Sequence, residues 1–185
     1  MKKQSTREKL LDIAFEEVYI HGYNATSVDA ILKRALVPKG SMYHYFKSKK
    51  SLVMAMIEER LYPKMDDFFD FRGDDSKLVT QNIRDTLLAI SKNKLLVTYG
   101  CPLYRLMVEM SAVDKDFDLL LTSKAKQMQE DIEFLLDSGI KKGEFSKDLD
   151  AKNFSKFILS RASFFLAGAI ASSKYPASIL PKTSI

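Results

Sequence analysis

The chain has 185 residues, 46% of them apolar, and carries 29 Lys or Arg against 24 Asp or Glu for a net charge of +5. That length and apolar content suit a folded chain with a sizeable core and exclude disorder, while no apolar run approaches the ~20 residues needed to cross a bilayer. A single cysteine, Cys101, and only two histidines, His21 and His44, exclude an internal disulfide and leave too few ligands for a zinc or haem centre, so neither metal nor cofactor is expected.

Apolar residues recur at spacings of three and four along the whole chain, without strand-like alternation or Asn-Gly hairpin signals, and predict an all-α protein. Met1 to Ser5 lead into no apolar signal stretch, so a cytoplasmic location is expected. A first helix starts at the capping box Ser5-Thr6-Arg7-Glu8, carries Leu10, Leu11, Ala14, Phe15 and Val18 on one face opposite a charged one, and stops at Gly22. Thr26, with Asp29 three residues on, can cap a second helix of about two turns bearing Val28, Ile31, Leu32 and Ala35. Pro38 opens a third short helix from Lys39 to about Tyr45, with Phe46 as its last apolar anchor. Ser48 caps a longer fourth helix through Leu52, Val53, Met56, Ile57 and Leu61, and Pro63 marks a bend or kink in it. Residues 71–76 read as a loop, followed by helices near 77–93, 102–112, 115–141 and 150–173, punctuated by Gly100, Gly139, Gly143 and the 148–150 cluster.

The charge is segregated. Residues 1–50 hold ten Lys or Arg against five acids and the remainder balances at 19 against 19, with no acid between Lys33 and Lys50. A phosphate-facing surface needs such a distribution. Two short helices joined by a tight turn, the second set among basic residues, have the geometry of a helix-turn-helix whose second helix enters the major groove. Val37, Met42 and Phe46 complete a three-helix core and leave Lys39, Ser41, Tyr43, His44 and Tyr45 outward, with Gly40 and Ser41 small enough for close approach to DNA.

The segments Gly22-Tyr23-Asn24-Ala25-Thr26-Ser27-Val28 and Pro38-Lys39-Gly40-Ser41-Met42-Tyr43-His44-Tyr45-Phe46-Lys47-Ser48-Lys49 closely resemble the signature of the tetracycline-repressor (TetR) family of transcriptional regulators. The resemblance spans about residues 5–60. It implies a helix-turn-helix DNA-binding domain over residues 1–60 and an antiparallel helical domain for effector binding and dimerisation over 61–185. By the same resemblance Thr26 and Ser27 touch phosphate, Tyr43 and Lys49 clamp the backbone beside the groove, and Lys39, Gly40, Ser41 and His44 face base edges. Leu36 departs from the pattern, standing at a turn position where the family usually has glycine; a positive φ there costs a leucine on the order of 1 kcal/mol.

The resemblance further implies a double-stranded operator, a small-molecule effector and a homodimer. Tyr62, Met65, Phe69, Leu87, Cys101, Tyr104 and Met107 are candidates for an effector pocket or for ordinary core. Phe157, Arg161, Phe164, Phe165 and Gly168 suit a subunit interface in which small residues let helices approach closely. Gly100-Cys101-Pro102 with Glu109 resembles a TetR subgroup in which a cysteine senses electrophiles or oxidants, though a buried inert thiol is the alternative. The proline-bounded stretch 175–181 is shorter than the final helix usual in the family. A repressor released by its signal is therefore expected. A constitutive architectural DNA-binding protein is the alternative, and a helical-bundle enzyme lacks support from any nucleophile elbow, phosphate loop or paired Glu-x-x-His.

Overall fold

The computed structural model describes residues 4–68 and 77–160, and every regular element among them is helical. The chain divides into two compact units, Met1–Phe69 with Arg105–Lys124, and Asp70–Tyr104 with Ala125–Ile185. Residues 61–68 and 105–124 gather with the N-terminal helices in the first of these units.

In the first unit, α1 (Thr6–His21) begins on Ser5, whose hydroxyl accepts the Glu8 N–H, and ends at Gly22 with φ +84°. The expected box is made from one side only, because the Glu8 carboxylate turns away to Arg60. Leu10, Leu11, Ala14 and Val18 are buried as the periodicity requires, and Tyr19 joins them. The opposite face is not uniformly charged and solvated: Glu17 is also buried, accepting from Arg34 at 2.7 Å. α2 (Val28–Ala35) is capped by Ser27, not Thr26, with the Ser27 hydroxyl taking the Ala30 N–H. Leu36 then adopts φ 53° and ψ 44°, the left-handed conformation that glycine takes at no cost. The turn keeps its form despite the leucine: Leu36 N–H reaches Lys33 O at 3.3 Å and Val37 N–H reaches Leu32 O at 3.1 Å, the bond pair of a Schellman motif.

α3 (Lys39–Tyr45) follows Pro38 and is pinned by the buried Met42 and by Phe46 just beyond it. α4 (Lys49–Met56) opens with a reciprocal capping box between Ser48 and Ser51. Pro63 has no N–H to return to the carbonyl four residues back, that of Glu59. The chain accommodates this with a π-helical turn at Ile57–Leu61, in which Tyr62 N–H reaches back to Ile57 O, and Arg60 donates to Glu59 O at 3.0 Å. α5 (Tyr62–Phe68) then continues the helix.

In the second unit, α6 (Val79–Lys92) has Leu78 before it and no cap of its own. Glu144 supplies one, accepting from Val79 N–H at 2.8 Å and from Thr80 N–H and Oγ at 2.9 Å. A short α7 (Lys94–Tyr99), capped by Asn93, fills part of what the sequence reads as connection, and Gly100 at φ 76° closes it. α8 (Pro102–Met110) and α9 (Lys115–Lys141) belong partly to each unit. Gly139 does not break α9. It lies inside the helix where the Phe145 ring folds onto it, so that a Cβ there would stand 2.3 Å from the ring. The break comes at Gly143 with φ 74°. Ile132, Leu136 and Ala151 form a buried cluster, joined by Ile140 of α9, Phe145 and Leu149 of the connection after it, and Ile158 and Leu159 of the helix over 151–160. The expected loop at 71–76 and the end of the helix expected at 150–173 lie outside the described residues.

Two consequences are measurable. Leu36 is 84% exposed, so Leu36→Gly forfeits little packing while relieving the left-handed strain; chemical denaturation should show about 0.5–1 kcal/mol of added stability after the extra chain entropy of glycine is offset. The N–H groups of Thr80 and Val79 hold the Glu144 carboxyl below the usual glutamate range. Its contribution is fully present above the unfolded-state value and lost as pH falls through the lower folded-state value. Thermal melts from pH 7 to 3 should therefore show Glu144→Gln melting lower at neutral pH and converging on the wild type in acid.

Candidate nucleic-acid interface

Three short elements present the candidate surface. On α3, Met42 faces the core with 0% exposure, so a seven-residue helix must turn nearly everything else outward. Lys39, Gly40, Tyr43, His44 and Tyr45 are exposed and Ser41 is half-buried. Gly40 has open space where a side chain would stand. The His44 and Tyr45 rings meet edge to face at 5.0 Å, which fixes the orientation of both. Lys39 is held near Asp29 of α2 at 3.6 Å, a solvent-exposed pair that a phosphate or a base edge can displace at little cost. Asp29 is thus a resident partner for Lys39 that sequence reading took only as part of a cap.

The start of α2 departs from expectation in two ways. Ser27 is exposed at the helix N-terminus, where backbone N–H groups favour an anion. Thr26, expected on phosphate, is buried at 2% exposure with its hydroxyl donated to Gly22 O at 2.7 Å. Lys49, expected to clamp the DNA backbone, points inward: its ammonium donates to Tyr23 O and Thr26 O at 2.8 Å and lies 4.3 Å above the Tyr23 ring. Desolvation lowers its pKa from the ordinary lysine value. Both residues shape the turn that carries Ser27. Lys47, absent from the expected contacts, is exposed beside the recognition helix in the acid-free stretch, and the charge run already contained it.

The effector candidates are not gathered in one unit. Tyr62, Met65 and Met107 belong to the first, whereas Leu87, Cys101 and Tyr104 belong to the second; Phe69 lies outside the described residues. Met65 is buried, and half-buried Tyr62 donates its hydroxyl to Leu120 O at 2.5 Å. Leu87 is 60% exposed. Burial pushes the Cys101 thiol up from its ordinary pKa, only partly countered by hydrogen bonds from the Tyr104 and Leu103 N–H groups at the start of α8. Burial thus acts against the helix N-terminus at this thiol, whose side chain is itself only half-buried. The first unit does carry an open groove of about 740 Å³, floored by Met54, Ala55, Leu119 and Leu120, none of them a sequence candidate. Of the interface candidates, Phe157 is exposed and stacks on Phe154 with centroids 5.9 Å apart; Arg161, Phe164, Phe165 and Gly168 lie outside the described residues. No helix among the described residues is long and apolar enough to cross a membrane.

Comparison with known proteins matches both parts of the chain. The family model of bacterial regulatory proteins of the tetR family matches residues 10–56, and that of the tetracyclin repressor-like C-terminal domain matches residues 81–174. A helix-turn-helix transcriptional regulator from the lacX 3' region of Lactococcus lactis is 31% identical over 133 residues, which are 70% of this chain and 67% of that protein. The transcriptional repressor NemR of Escherichia coli is 41% identical over 56 residues, 30% of this chain and 28% of its own length. The crystal structure of a regulatory protein TetR from Rhodobacter sphaeroides superposes with a TM-score of 0.75 at 26% identity, covering 91% of this chain and 95% of that one. A chain whose regular elements are all helical among the described residues, that turns a short helix outward in its N-terminal unit and matches both family models, belongs to the TetR family of DNA-binding transcriptional regulators.

Proposed function

We propose that the protein is an operator-binding repressor, acting in the cytoplasm as a homodimer on a two-fold related site and released by a small-molecule effector. The observation that carries this reading is the exposure of Lys39, Gly40, Tyr43 and His44 on a helix anchored by buried Met42 and Phe46, inside a stretch without a single acid. Repression in particular is supported by the likeness of the N-terminal region to a protein named as a repressor.

On this reading Tyr43, with Ser27 at the start of α2, binds phosphate and sets the register, while Lys39 reaches a base edge and His44 and Ser41 lie beside it. Lys39 leaves Asp29 to do so. Thr26 and Lys49 act indirectly, by holding the turn that presents Ser27. An effector bound among the helices between 61 and 111 would change the separation of two recognition helices and prevent both half-sites from being engaged together. We take a bound ligand ahead of thiol modification as the signal, since burial raises the Cys101 pKa, although the thiol is only half-buried. The exposed, stacked Phe154 and Phe157 suit the subunit contact.

The test of the main reading is a fluorescence-anisotropy titration against duplex DNA from upstream of the protein's own coding region, with scrambled duplex as control. Tyr43→Ala should weaken binding to native and scrambled sequence alike, with the salt dependence, helicity and dimerisation unchanged, because the lost contact is a neutral one. Lys39→Ala should cost about 1–3 kcal/mol on the native sequence only. Native binding indistinguishable from scrambled would remove the operator reading. For the thiol, 5,5′-dithiobis(2-nitrobenzoic acid) should label Cys101 slowly in the folded protein at pH 7 and rapidly in denaturant. Fast labelling of the native protein would return cysteine modification to first place.

A further inference from the structure

Two side chains of α8, one turn apart, hold main-chain atoms around the end of α1. Arg105 donates to Tyr19 O at 2.6 Å, and the Glu109 carboxylate accepts the N–H groups of Tyr23 at 2.8 Å and Asn24 at 2.6 Å. From the other side, Lys49 takes the carbonyls of Tyr23 and Thr26. The α1–α2 turn is therefore fixed between an anion on its amides and a cation on its carbonyls. Gly22 makes the approach possible: its φ is +84°, and a Cβ there would lie 2.8 Å from the Glu109 carboxylate. Thr26 Oγ bonds back to Gly22 O, and the next residue, Ser27, caps α2. Only this short stretch, hydrogen-bonded at Gly22, Tyr23, Asn24 and Thr26, lies between Glu109 and Ser27, the first residue of the proposed DNA-facing surface.

We propose that Glu109 is a positioning residue for operator binding, coupling the place of α8 to the start of α2 and through it to the recognition helix. The proposal rests on the operator-binding reading above. Both grips of α8 fall on backbone groups, so a displacement of α8 moves the main chain of the turn itself. The alternative to moving together is to leave the Tyr23 and Asn24 amides and the Tyr19 carbonyl without these partners. A short turn held from both sides has little slack to absorb that shift. Such coupling is reciprocal: if α8 biases DNA binding, bound DNA must steady α8.

Reciprocity gives a test that needs no effector. Hydrogen–deuterium exchange of the full-length protein is followed by mass spectrometry, with and without duplex DNA from upstream of its own coding region. In the wild type, DNA should slow exchange over 22–46 and also over 102–112, where DNA makes no contact. In Glu109→Ala, DNA should still protect 39–46 but leave 102–112 unchanged, with affinity down about tenfold. Glu109→Gln keeps one carbonyl acceptor and should lie between; it carries the test if the alanine variant loses its helicity. Protection of 102–112 that is absent in the wild type, or that survives in the variants, would overturn the coupling while operator binding stands. Failure of the wild type to bind any duplex would instead bring down the operator reading and this inference with it.

Discussion

A seven-residue helix cannot hold itself in place, and the surface proposed to face DNA depends on how that is overcome. Nucleation costs more than a helix of two turns returns, so an isolated α3 would not form in water. It has no side-chain cap at Pro38 and buries only Met42 within its length. What fixes it is borrowed: Phe46 beyond its last turn, packed under the Arg7 guanidinium 5.4 Å from its centroid, the Schellman turn before it and the Ser48–Ser51 box after it. Because its neighbours supply the stability, its own residues are free to be chosen for what they meet outside. That is the physical reason a recognition helix can be glycine-bearing and short.

The same economy governs charge. The ten cations of residues 1–50 overstate the surface available to phosphate, since many are engaged within the fold. Arg7 is bidentate on Glu59, Arg34 lies on Glu16 and Glu17, and Lys50 bridges Asp114 and Asp116. Lys49 is spent on carbonyls. Lys33 and Lys47 are exposed, and Lys39 holds only an exposed, weak pair. The acid-free stretch therefore matters more than the net charge: it adds no carboxylate of its own to the cations that are not structural, and Lys39 meets only the weak, exposed pair to Asp29.

Much of this was legible in the sequence, and the residues where it was not share a cause. Helix starts at Ser5 and Ser48, the stop at Gly22 and the span Lys39–Tyr45 depend on groups within a few residues of one another, and local rules found them. Thr26 and Ser27 could not be separated locally, because either hydroxyl can cap; burial against Gly22 O decided it. Leu36 broke the local rule, yet the turn kept its geometry, since two backbone bonds and the burial of α2 and α3 outweigh a strain of about 1–2 kcal/mol. Gly139 looked like punctuation but is a landing place for Phe145, a contact visible only when the chain after Gly143 has folded back. α7 escaped notice because six residues carry too little periodicity, although Asn93 before it was a usable cap signal.

The domain boundary illustrates the limit most clearly. Read linearly, the DNA-binding part ends near residue 60, where the motif ends. In space, residues 105–124 gather with it, and the bonds responsible join positions 58–86 residues apart: Arg105 to Tyr19, Glu109 to Tyr23 and Asn24, Lys50 to Asp114 and Asp116, Tyr62 to Leu120, Lys124 to Asp66. None has a sequence signature, because a carboxylate that receives two backbone amides can face any residue type there except one that crowds it. Glu109 drew notice only beside Gly100-Cys101-Pro102, and it is the glycine that marks where it lands. Gly22 satisfies both the left-handed stop of α1 and the close approach of Glu109, so one residue that marks a helix end in the sequence also marks where the distant part of the chain takes hold.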